Sequence, residues 1–269
     1  MQIAIASGKG GTGKTTLAVN LAYFNGIDLF DLDVEEPNDY LFFKNAKEVE
    51  SEVVSRKVPI VDQSKCDYCG KCRDVCEYNA IVVLKDETMI FPELCHSCGA
   101  CSYFCPQEAI SEVDRPIGKI ISIKSEINLA YGVLEVGEAS PVPLIRAVKR
   151  KIAGNAIIDA PPGTSCPMVE SIRDADFVVL VAEPTPFSLH DLKLAVKVID
   201  RLDLKFGAVI NKHGLPFDGV EKFCRQEKIP VLGRIPFSTE IAERYSKGEL
   251  LFEYRDIFKE IYDGVMELV

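Results

Sequence analysis

Hydrophobic and polar positions follow one another along most of this chain in the pattern of strands alternating with helices. Short apolar runs predict buried strands at residues 2–6, 27–32, 156–158, 177–181, 206–210 and 231–235. Helical periodicity follows at 15–24, 187–202 and 217–227, and two further helices end the chain. This alternation predicts a mainly parallel sheet covered by helices on both faces, a doubly wound α/β domain.

One segment interrupts the alternation. From about residue 58 to 113 the composition shifts to cysteine, glycine and short apolar pieces, and strand-like stretches at 117–123 and 127–136 then resume the pattern. Without that segment roughly 210 residues remain, which suits a single domain of this class. We therefore predict an α/β domain formed by residues 1–57 and 114–269, with a small inserted domain at 58–113.

The charge balance argues against two kinds of binding partner. The chain has 31 Lys and Arg against 41 Asp and Glu, a net charge of −10. Such a surface repels phosphate backbones and anionic lipids, so we expect neither nucleic-acid binding nor membrane insertion. No apolar run reaches the ~18 residues of a spanning helix. The chain opens on an apolar strand without a basic leader, from which we expect a cytoplasmic protein.

Cysteine is distributed very unevenly. Eight of the ten cysteines lie between Cys66 and Cys105, and the other two are Cys166 and Cys224. A disulfide framework would be distributed through a small secreted chain, whereas clustering in a cytosolic protein favours metal binding. The eight form two runs of the same spacing, C-x₂-C-x₂-C-x₃-C, 29 residues apart: Cys66, Cys69, Cys72, Cys76 and Cys95, Cys98, Cys101, Cys105.

A glycine-rich segment joins the first predicted strand to the first predicted helix. Gly8–Thr15 fits G-x-x-x-x-G-K-[ST], in which backbone N–H groups and the helix N-terminus bind phosphate oxygens. Lys14 would reach the β- and γ-phosphates, and the Thr15 hydroxyl would bind Mg²⁺. A chance glycine-rich turn is the alternative, but the flanking strand and helix favour a phosphate-binding loop.

The segment Lys9–Thr16 resembles the deviant Walker A motif of the MinD, ParA, Mrp and nitrogenase-iron-protein ATPases. The resemblance covers nearly the whole chain outside the cysteine segment. It implies that Lys9 crosses the interface of an ATP-stabilised homodimer to contact the partner's nucleotide. It also implies catalytic roles for Lys9, Lys14 and Asp33, and nucleotide contacts from Gly8, Lys9, Gly10, Gly11, Thr12, Gly13, Lys14, Thr15, Thr16, Gly163, Asn211 and Pro236.

Two acidic strand ends match the family's switch segments. Asp33 lies where switch I begins, and its carboxylate would orient the attacking water; a turn or cap residue is the alternative. Asp159 follows an apolar strand and would hold Mg²⁺, directly or through water, with Thr15. The Gly163 N–H would sense the γ-phosphate, and Asp31 is expected to be structural.

The base-side residues favour adenine. Asn211 ends a predicted strand, as in a base-recognising loop, and Pro236 lies in a second such loop. GTPases with an N-K-x-D motif have an aspartate two residues after the lysine, where this chain has Gly214. The carboxylate that would recognise guanine is missing, so we expect ATP.

The repeated cysteine runs resemble the bacterial two-cluster ferredoxin module, so that the inserted domain is expected to be an α+β ferredoxin domain with two [4Fe–4S] clusters. In that module the fourth cysteine of each run ligates the other cluster. The resemblance therefore assigns Cys66, Cys69, Cys72 and Cys105 to the first cluster, and Cys95, Cys98, Cys101 and Cys76 to the second. Zinc is the competing metal, but zinc modules present separated pairs of ligands rather than close triplets. Glu77 stands where the module usually has proline.

Together these resemblances predict an Mg²⁺-dependent ATPase in which nucleotide state gates electron transfer through two clusters to an unknown redox partner. The alternative is an ATP-dependent iron–sulfur cluster scaffold or carrier of the Mrp type, which would have a client protein. ParA- or MinD-like positioning is a third interpretation, disfavoured by the acidic C-terminal helix. Cys166 follows Asp159 at the offset of a cluster-ligating cysteine in the nitrogenase iron protein. It is either a further ligand or a small residue buried beside a helix start.

Overall fold

The computed structural model describes all 269 residues, Met1–Val269. They form two compact units, the first comprising Met1–Ser51, Ile120–Val133 and Ile145–Val269 and the second Glu52–Lys119 and Leu134–Leu144. The strands are β1 (Gln2–Ala6), β2 (Asp28–Asp31), β3 (Lys47–Val61), β4 (Ile81–Val83), β5 (Thr88–Ile90), β6 (Ile110–Lys124), β7 (Asn128–Leu134), β8 (Ala156–Asp159), β9 (Phe177–Ala182), β10 (Phe206–His213) and β11 (Val231–Pro236). The helices are α1 (Lys14–Asn25), α2 (Lys71–Asp74), α3 (Ala100–Tyr103), α4 (Val142–Lys149), α5 (Cys166–Ile172), α6 (Pro186–Arg201), α7 (Gly219–Gln226), α8 (Thr239–Ser246) and α9 (Arg255–Met266).

The first unit is built on a mainly parallel sheet. Its strands follow the order β11-β10-β9-β1-β8-β2-β7, continued by the last residues of β6. β1 pairs in parallel with β8 and β9, and β2 pairs in parallel with β8 and β7. The order departs from chain order because each parallel connection must cross over the sheet. This sheet confirms the predicted α/β architecture.

Helices cover both faces of that sheet. Ile3 and Ile5 of β1 pack into one core with α1 and α9. Successive side chains of a strand point to opposite faces, so Ala4 and Ala6 lie on the other face, where α5 packs against β1. All four of these side chains are fully buried. A strand buried on both faces explains the continuous apolar run in the sequence.

Helix α1 is buried around most of its circumference rather than along the single stripe that its periodicity predicts. Its buried residues include Asn20, whose side-chain oxygen accepts a hydrogen bond from the Leu251 N–H (2.7 Å). The helix ends at Gly26, whose left-handed backbone lets its N–H reach the carbonyls of Ala22 and Tyr23. The first helix after the phosphate loop is therefore held by the core around it and by the cap at its C-terminal end.

The second unit contains the cysteine runs. Each run has a one-turn helix, α2 or α3, and the antiparallel pair β4–β5 lies between the runs, with Ile81 opposite Ile90. A small apolar core forms from Cys72, Ile81, Cys101 and Ile110, the same two positions in each repeat. The duplication in the sequence is thus also a duplication in packing.

The unit boundaries differ from the sequence-based boundaries at 57/58 and 113/114. The second unit comprises two segments, Glu52–Lys119 and Leu134–Leu144. Strand β3, most of whose first ten residues are exposed, has no apolar alternation by which the sequence could have indicated it. None of the helices combines the length and the hydropathy that spanning a lipid bilayer would require.

Phe258 tests the packing of α9 on α1. Its ring is fully buried and stacks on Phe24 at 5.9 Å between centroids. We expect Phe258→Ala to lower the free energy of unfolding by about 3–5 kcal/mol, because it removes the ring and leaves a cavity. Met266→Ala, on the same helix at a side chain that is 47% exposed, should change it by less than about 0.5 kcal/mol. Urea denaturation followed by circular dichroism measures both, and equal losses would contradict this packing.

Candidate functional site

The phosphate loop lies between β1 and α1, at the carboxyl edge of the parallel sheet. Gly13 precedes α1 with a φ of +94°, and a Cβ there would lie 2.0 Å from the side-chain nitrogen of Asn211. That nitrogen donates to the Thr12 carbonyl oxygen (2.7 Å). The close approach of β10 to the loop therefore requires glycine at this position.

The two residues predicted to hold Mg²⁺ lie side by side. The Thr15 hydroxyl donates to Asp159 Oδ2 at 2.8 Å. Asp159 Oδ1 is buried without a hydrogen-bond partner, which leaves it available to a cation or to a water molecule bound to one. Lys14, only 8% exposed, lowers the pKa of Asp159 by its charge, although burial raises that pKa overall. This donor set of hydroxyl and carboxylate oxygen suits Mg²⁺.

A further buried carboxylate, which sequence reasoning missed, lies at the same edge. Asp39 is fully buried, neither of its side-chain oxygens accepts a hydrogen bond from an N–H or hydroxyl group, and its carboxyl group contacts that of Asp159. Burial and the charges of Asp31 and Asp159 raise its pKa well above the ordinary value. Its position eight residues after Asp31 gave no recognisable spacing. The sheet edge thus concentrates carboxyl groups whose ionised form is unfavourable alone and would be stabilised by a bound cation.

Asp31 organises the loop after β2. Its carboxylate accepts hydrogen bonds from the backbone N–H groups of Asp33 (3.0 Å), Asn38 (2.9 Å) and Asp39 (3.2 Å). Burial nevertheless raises its pKa to about 8, and the Asp159 charge acts in the same direction. These bonds support the structural role expected for Asp31, since they shape the loop that carries Asp33 and Asp39.

Lys9 is held within its own chain by Glu183. Its Nζ lies 2.6 Å from Glu183 Oε1, and Lys212 Nζ lies 2.7 Å from Oε2. Lys212 Nζ also donates to the Gly11 carbonyl oxygen (3.1 Å). The two ammonium groups lower the pKa of Glu183 against the opposing effect of its burial. Sequence reasoning missed Glu183, whose signal was its position at the end of the buried run that forms β9.

The remaining predicted nucleotide residues lie at the ends of neighbouring strands. The Gly163 N–H donates to the Ser7 carbonyl oxygen (3.0 Å), which ties the segment after β8 to the start of the phosphate loop. Asn211 lies near the end of β10, and its amide is bonded to the loop as described. Pro236 ends β11 opposite His213 of β10. The structure thus brings Asn211 and Gly163 to the phosphate loop and leaves Pro236 at the adjacent strand end.

In the second unit the eight clustered cysteines surround two separate cavities. One is lined by Cys66, Cys69, Cys72 and Cys105. The other is lined by Cys76, Cys95, Cys98 and Cys101. Each cavity thus combines three cysteines of one run with the fourth of the other, the same grouping that the ferredoxin resemblance implies.

The backbone around the two cavities repeats as well. Left-handed φ angles recur 29 residues apart, at Gly70 (+82°) and Gly99 (+73°) and at the pairs Tyr68 and Ser97, and Asn79 and Glu108. The Ala80 N–H donates to Cys76 Sγ (3.4 Å), as the Ala109 N–H does to Cys105 Sγ (3.3 Å). Backbone N–H groups directed at cysteine sulfur are a recognised feature of iron–sulfur sites.

The cysteines surround a volume rather than a point. No three His, Cys, Asp or Glu side chains converge on one position where a single metal ion could bind. A [4Fe–4S] cluster instead takes one thiolate at each of four irons, so its ligands stand apart around a cube. Burial raises the pKa of the Cys101 thiol to about 11 and raises that of Cys72. These thiols therefore stay protonated at neutral pH unless a bound cation displaces the proton.

Cys166 differs from the small buried residue that we considered as one alternative. It begins α5 seven residues after Asp159, and its side chain is exposed. The expected burial is therefore wrong for Cys166, although the residue does begin a helix, whereas Cys224 is fully buried.

Comparisons with known proteins place the chain among relatives of several kinds. An uncharacterized protein of Methanocaldococcus jannaschii is 32% identical over 96% of this chain and 93% of its own length. An iron-sulfur cluster carrier protein of Pyrococcus horikoshii is 26% identical over 95% of this chain and 80% of its own length. An uncharacterized ferredoxin of M. jannaschii is 42% identical over 55 residues, which are 19% of this chain and 71% of that protein.

Solved structures share the fold. The septum site-determining protein MinD of P. horikoshii, complexed with Mg-ADP, superposes with a TM-score of 0.59 over 99% of this chain and 96% of its own, at 19% identity. A family model described as the CobQ/CobB/MinD/ParA nucleotide binding domain matches residues 3–252. With the phosphate loop between β1 and α1 and the parallel sheet described above, the chain belongs to this P-loop ATPase family.

Proposed function

We propose that this protein is an Mg²⁺-dependent ATPase that carries two [4Fe–4S] clusters, and that its nucleotide state gates electron transfer through them. The observation that carries the proposal is the grouping of eight cysteines into two cavities, each with three cysteines of one run and one of the other, in a chain that also has a phosphate loop. The match to a ferredoxin over 55 residues supports the same assignment.

The first unit would bind ATP through the phosphate loop. Backbone N–H groups of Gly8–Thr16 would bind the phosphates, Lys14 would neutralise the β- and γ-phosphates, and Asn211 and Pro236 would lie on the base side. Thr15 and Asp159 would hold Mg²⁺, which supplies positive charge to the phosphate oxygens. Support comes from the 2.8 Å contact between those two side chains and from the unpartnered oxygen of Asp159.

Hydrolysis would require Asp33 and Lys9. Asp33 would orient the attacking water, and Lys9 would contact the nucleotide of a second copy of the chain in an ATP-stabilised homodimer. The contact of Lys9 with Glu183 gives this step a starting point, since the lysine must leave a 2.6 Å ion pair in its own chain before it can reach a partner. Binding of the partner's phosphates would compensate for the lost pair.

Gly163 would report the nucleotide state. Its N–H is bonded to Ser7, so a γ-phosphate that accepts this N–H competes with the Ser7 carbonyl and moves the segment after β8. ATP shifts such an equilibrium only by as much as it prefers one state over the other. We propose that this movement, together with that of the loop containing Asp33, changes how the clusters exchange electrons with a redox partner.

The second candidate is an ATP-dependent iron–sulfur cluster carrier with a client protein. It is favoured by the 26% identity to a protein named as an iron-sulfur cluster carrier. Mixing the cluster-loaded protein with an apo-ferredoxin separates the two candidates. Clusters that stay bound while ATP changes their rate of reduction support electron transfer, and clusters that leave during ATP turnover support the carrier.

Two lysines of the phosphate loop should have separable roles. We expect Lys14→Ala to weaken ATP binding about ten- to a hundredfold, because it removes a charged hydrogen bond to phosphate. Lys9→Ala should bind ATP nearly as the unchanged protein does but lose ATP-dependent dimerisation and hydrolysis. Fluorescent-nucleotide titration and light scattering measure the two properties, and Lys197→Ala on the exposed side of α6 is the control. A Lys9→Ala protein that still dimerises with ATP would refute the role in trans.

Asp33 should make stability depend on pH. Its pKa is raised from the ordinary value of 3.8 to about 6, mainly by burial, against the lowering effect of Lys14. Between about pH 4 and pH 6 the folded chain therefore keeps a proton that the unfolded chain has lost, so the free energy of unfolding falls as pH rises through this window. Asp33→Asn removes this contribution and should flatten the curve, measured by urea denaturation without nucleotide or metal. Identical slopes for the two proteins would contradict the raised pKa.

Iron and sulfide content tests the clusters. Anaerobically purified protein should contain about eight iron and eight acid-labile sulfide atoms per chain. Cys66→Ser and Cys95→Ser should each reduce the content towards one cluster, because each removes a ligand from a different cavity. Cys224→Ala, at a buried cysteine outside both cavities, should leave it unchanged. Stoichiometric zinc in place of iron would overturn the assignment.

A further inference from the structure

A buried group of charges lies within the second unit. Glu138 Oε2 accepts hydrogen bonds from Arg56 Nε (3.1 Å) and Nη2 (2.9 Å), and its other oxygen accepts one from Arg115. The side chains of Arg56 and Glu138 are only 7% and 2% exposed. Arg115 is more exposed and also contacts Glu93 (3.2 Å). Burying an ion pair lowers the stability of the fold unless further hydrogen bonds satisfy both charged groups, so the other contacts of Arg56 are informative.

The remaining donors of Arg56 are directed at the second cysteine run. Arg56 Nη1 donates to the carbonyl oxygen of Cys95 and, at 3.4 Å, to the Ser97 hydroxyl. Nη2 donates to the Pro92 carbonyl oxygen at 2.8 Å. The Ser97 N–H in turn donates to Cys95 Sγ (3.3 Å). The guanidinium group thus fixes the backbone on both sides of one of the four cysteines that line the second cavity.

The first run is contacted by neutral side chains. Gln63 precedes Cys66 by three residues, as Pro92 precedes Cys95. The Gln63 amide donates to the Thr88 carbonyl oxygen (2.7 Å) and accepts from the Thr88 N–H (3.2 Å). The Thr88 hydroxyl lies 3.5 Å from Cys66 Sγ. The side chains that contact the first run here are thus an uncharged amide and a hydroxyl, whereas a buried cation contacts the second run.

Other charges near the two cavities are at the surface. Asp67 and Lys71 line the first cavity and Glu112 lines the second, and all three are exposed. Water and salt screen exposed charges strongly, whereas a buried charge acts through a medium of low dielectric constant. Reduction adds one negative charge to a cluster, and a nearby fixed positive charge favours the reduced form. Arg56 with its counter-ion is thus the main electrostatic difference between the repeats.

We propose that Arg56, held in place by Glu138, raises the reduction potential of the cluster bound by Cys76, Cys95, Cys98 and Cys101 above that of the cluster bound by Cys66, Cys69, Cys72 and Cys105. This inference rests on the proposed function, since it requires both clusters. The difference in potential makes electron transfer between the two clusters directional, because an electron that enters through the first cluster is more stable on the second. Arg56 does not bind the cluster itself: its charge acts across the Cys95 loop, which its hydrogen bonds hold in place, so it is a positioning residue.

The test is an anaerobic potentiometric titration of the full-length protein, followed by EPR, after iron and sulfide analysis of each sample. Two clusters with unequal potentials are expected in the unchanged protein. Arg56→Gln should lower the higher potential alone, with the reduced-to-oxidised ratio of that cluster falling about tenfold at a fixed potential, which corresponds to about 59 mV for one electron. Glu138→Gln should raise the same potential, and Arg56→Lys, which keeps the charge, should stay close to the unchanged protein.

The control is Lys57→Gln on the same strand. Lys57 pairs with Asp114 at 3.0 Å, and its side chain is 55% exposed, so its loss should move neither potential. Should the single variants fail to fold, the double variant Arg56→Gln/Glu138→Gln removes both buried charges and should shift the higher potential less than Arg56→Gln is expected to. Cys98→Ser should abolish the signal of higher potential.

The inference is overturned if Arg56→Gln moves both potentials equally, moves the lower one, or moves neither. A double variant that moves the lower potential overturns it as well. Unchanged protein that contains fewer than two clusters after anaerobic purification instead contradicts the proposed function. Iron analysis therefore separates the two failures before any potential is compared.

Discussion

The parallel register of β2 and β8 places Asp31 opposite Asp159 at the carboxyl edge of the sheet, next to the phosphate loop on β1. The loop after β2 then adds Asp39, so three buried carboxyl groups lie in a region where Lys14 is the buried cation. Burial raises the pKa of each of them. Such an arrangement is unfavourable in isolation and becomes favourable when a divalent cation and its water molecules supply charge and hydrogen-bond donors. The chemistry of the first unit follows from this constraint.

The second unit depends on repetition. The two cysteine runs share one backbone conformation, with left-handed residues at matching positions. They surround two cavities, and each cavity is lined by three cysteines of one run and the fourth cysteine of the other. The charges around them do not repeat, since a buried arginine contacts the Cys95 loop and a neutral glutamine lies near the Cys66 loop. Under the proposed function, this repeated geometry with unequal electrostatics would give the two clusters different reduction potentials.

Sequence reasoning was most successful where function depends on local spacing or on strand ends. The phosphate loop is contiguous, and the carboxyl ends of parallel strands meet at one edge, so the approach of Thr15 to Asp159 could be predicted. It failed where contacts join distant segments whose residues carry no pattern. Glu183 is 174 residues from Lys9, and Glu138 is 82 residues from Arg56. Strand β3 was missed for another reason, because its exposed first half lacks the apolar alternation that marks a strand.

The proposed function depends above all on communication between the nucleotide state of the first unit and the clusters of the second. The most direct measurement is the rate at which a chemical reductant reduces the clusters, followed by absorption and EPR in one anaerobic sample with and without MgATP. At an ATP concentration that occupies the unchanged protein but not Lys14→Ala, we expect a rate or an EPR line shape that changes with ATP in the unchanged protein and stays constant in the variant. Fully loaded protein that binds ATP yet shows identical rates and spectra with and without it would contradict this communication.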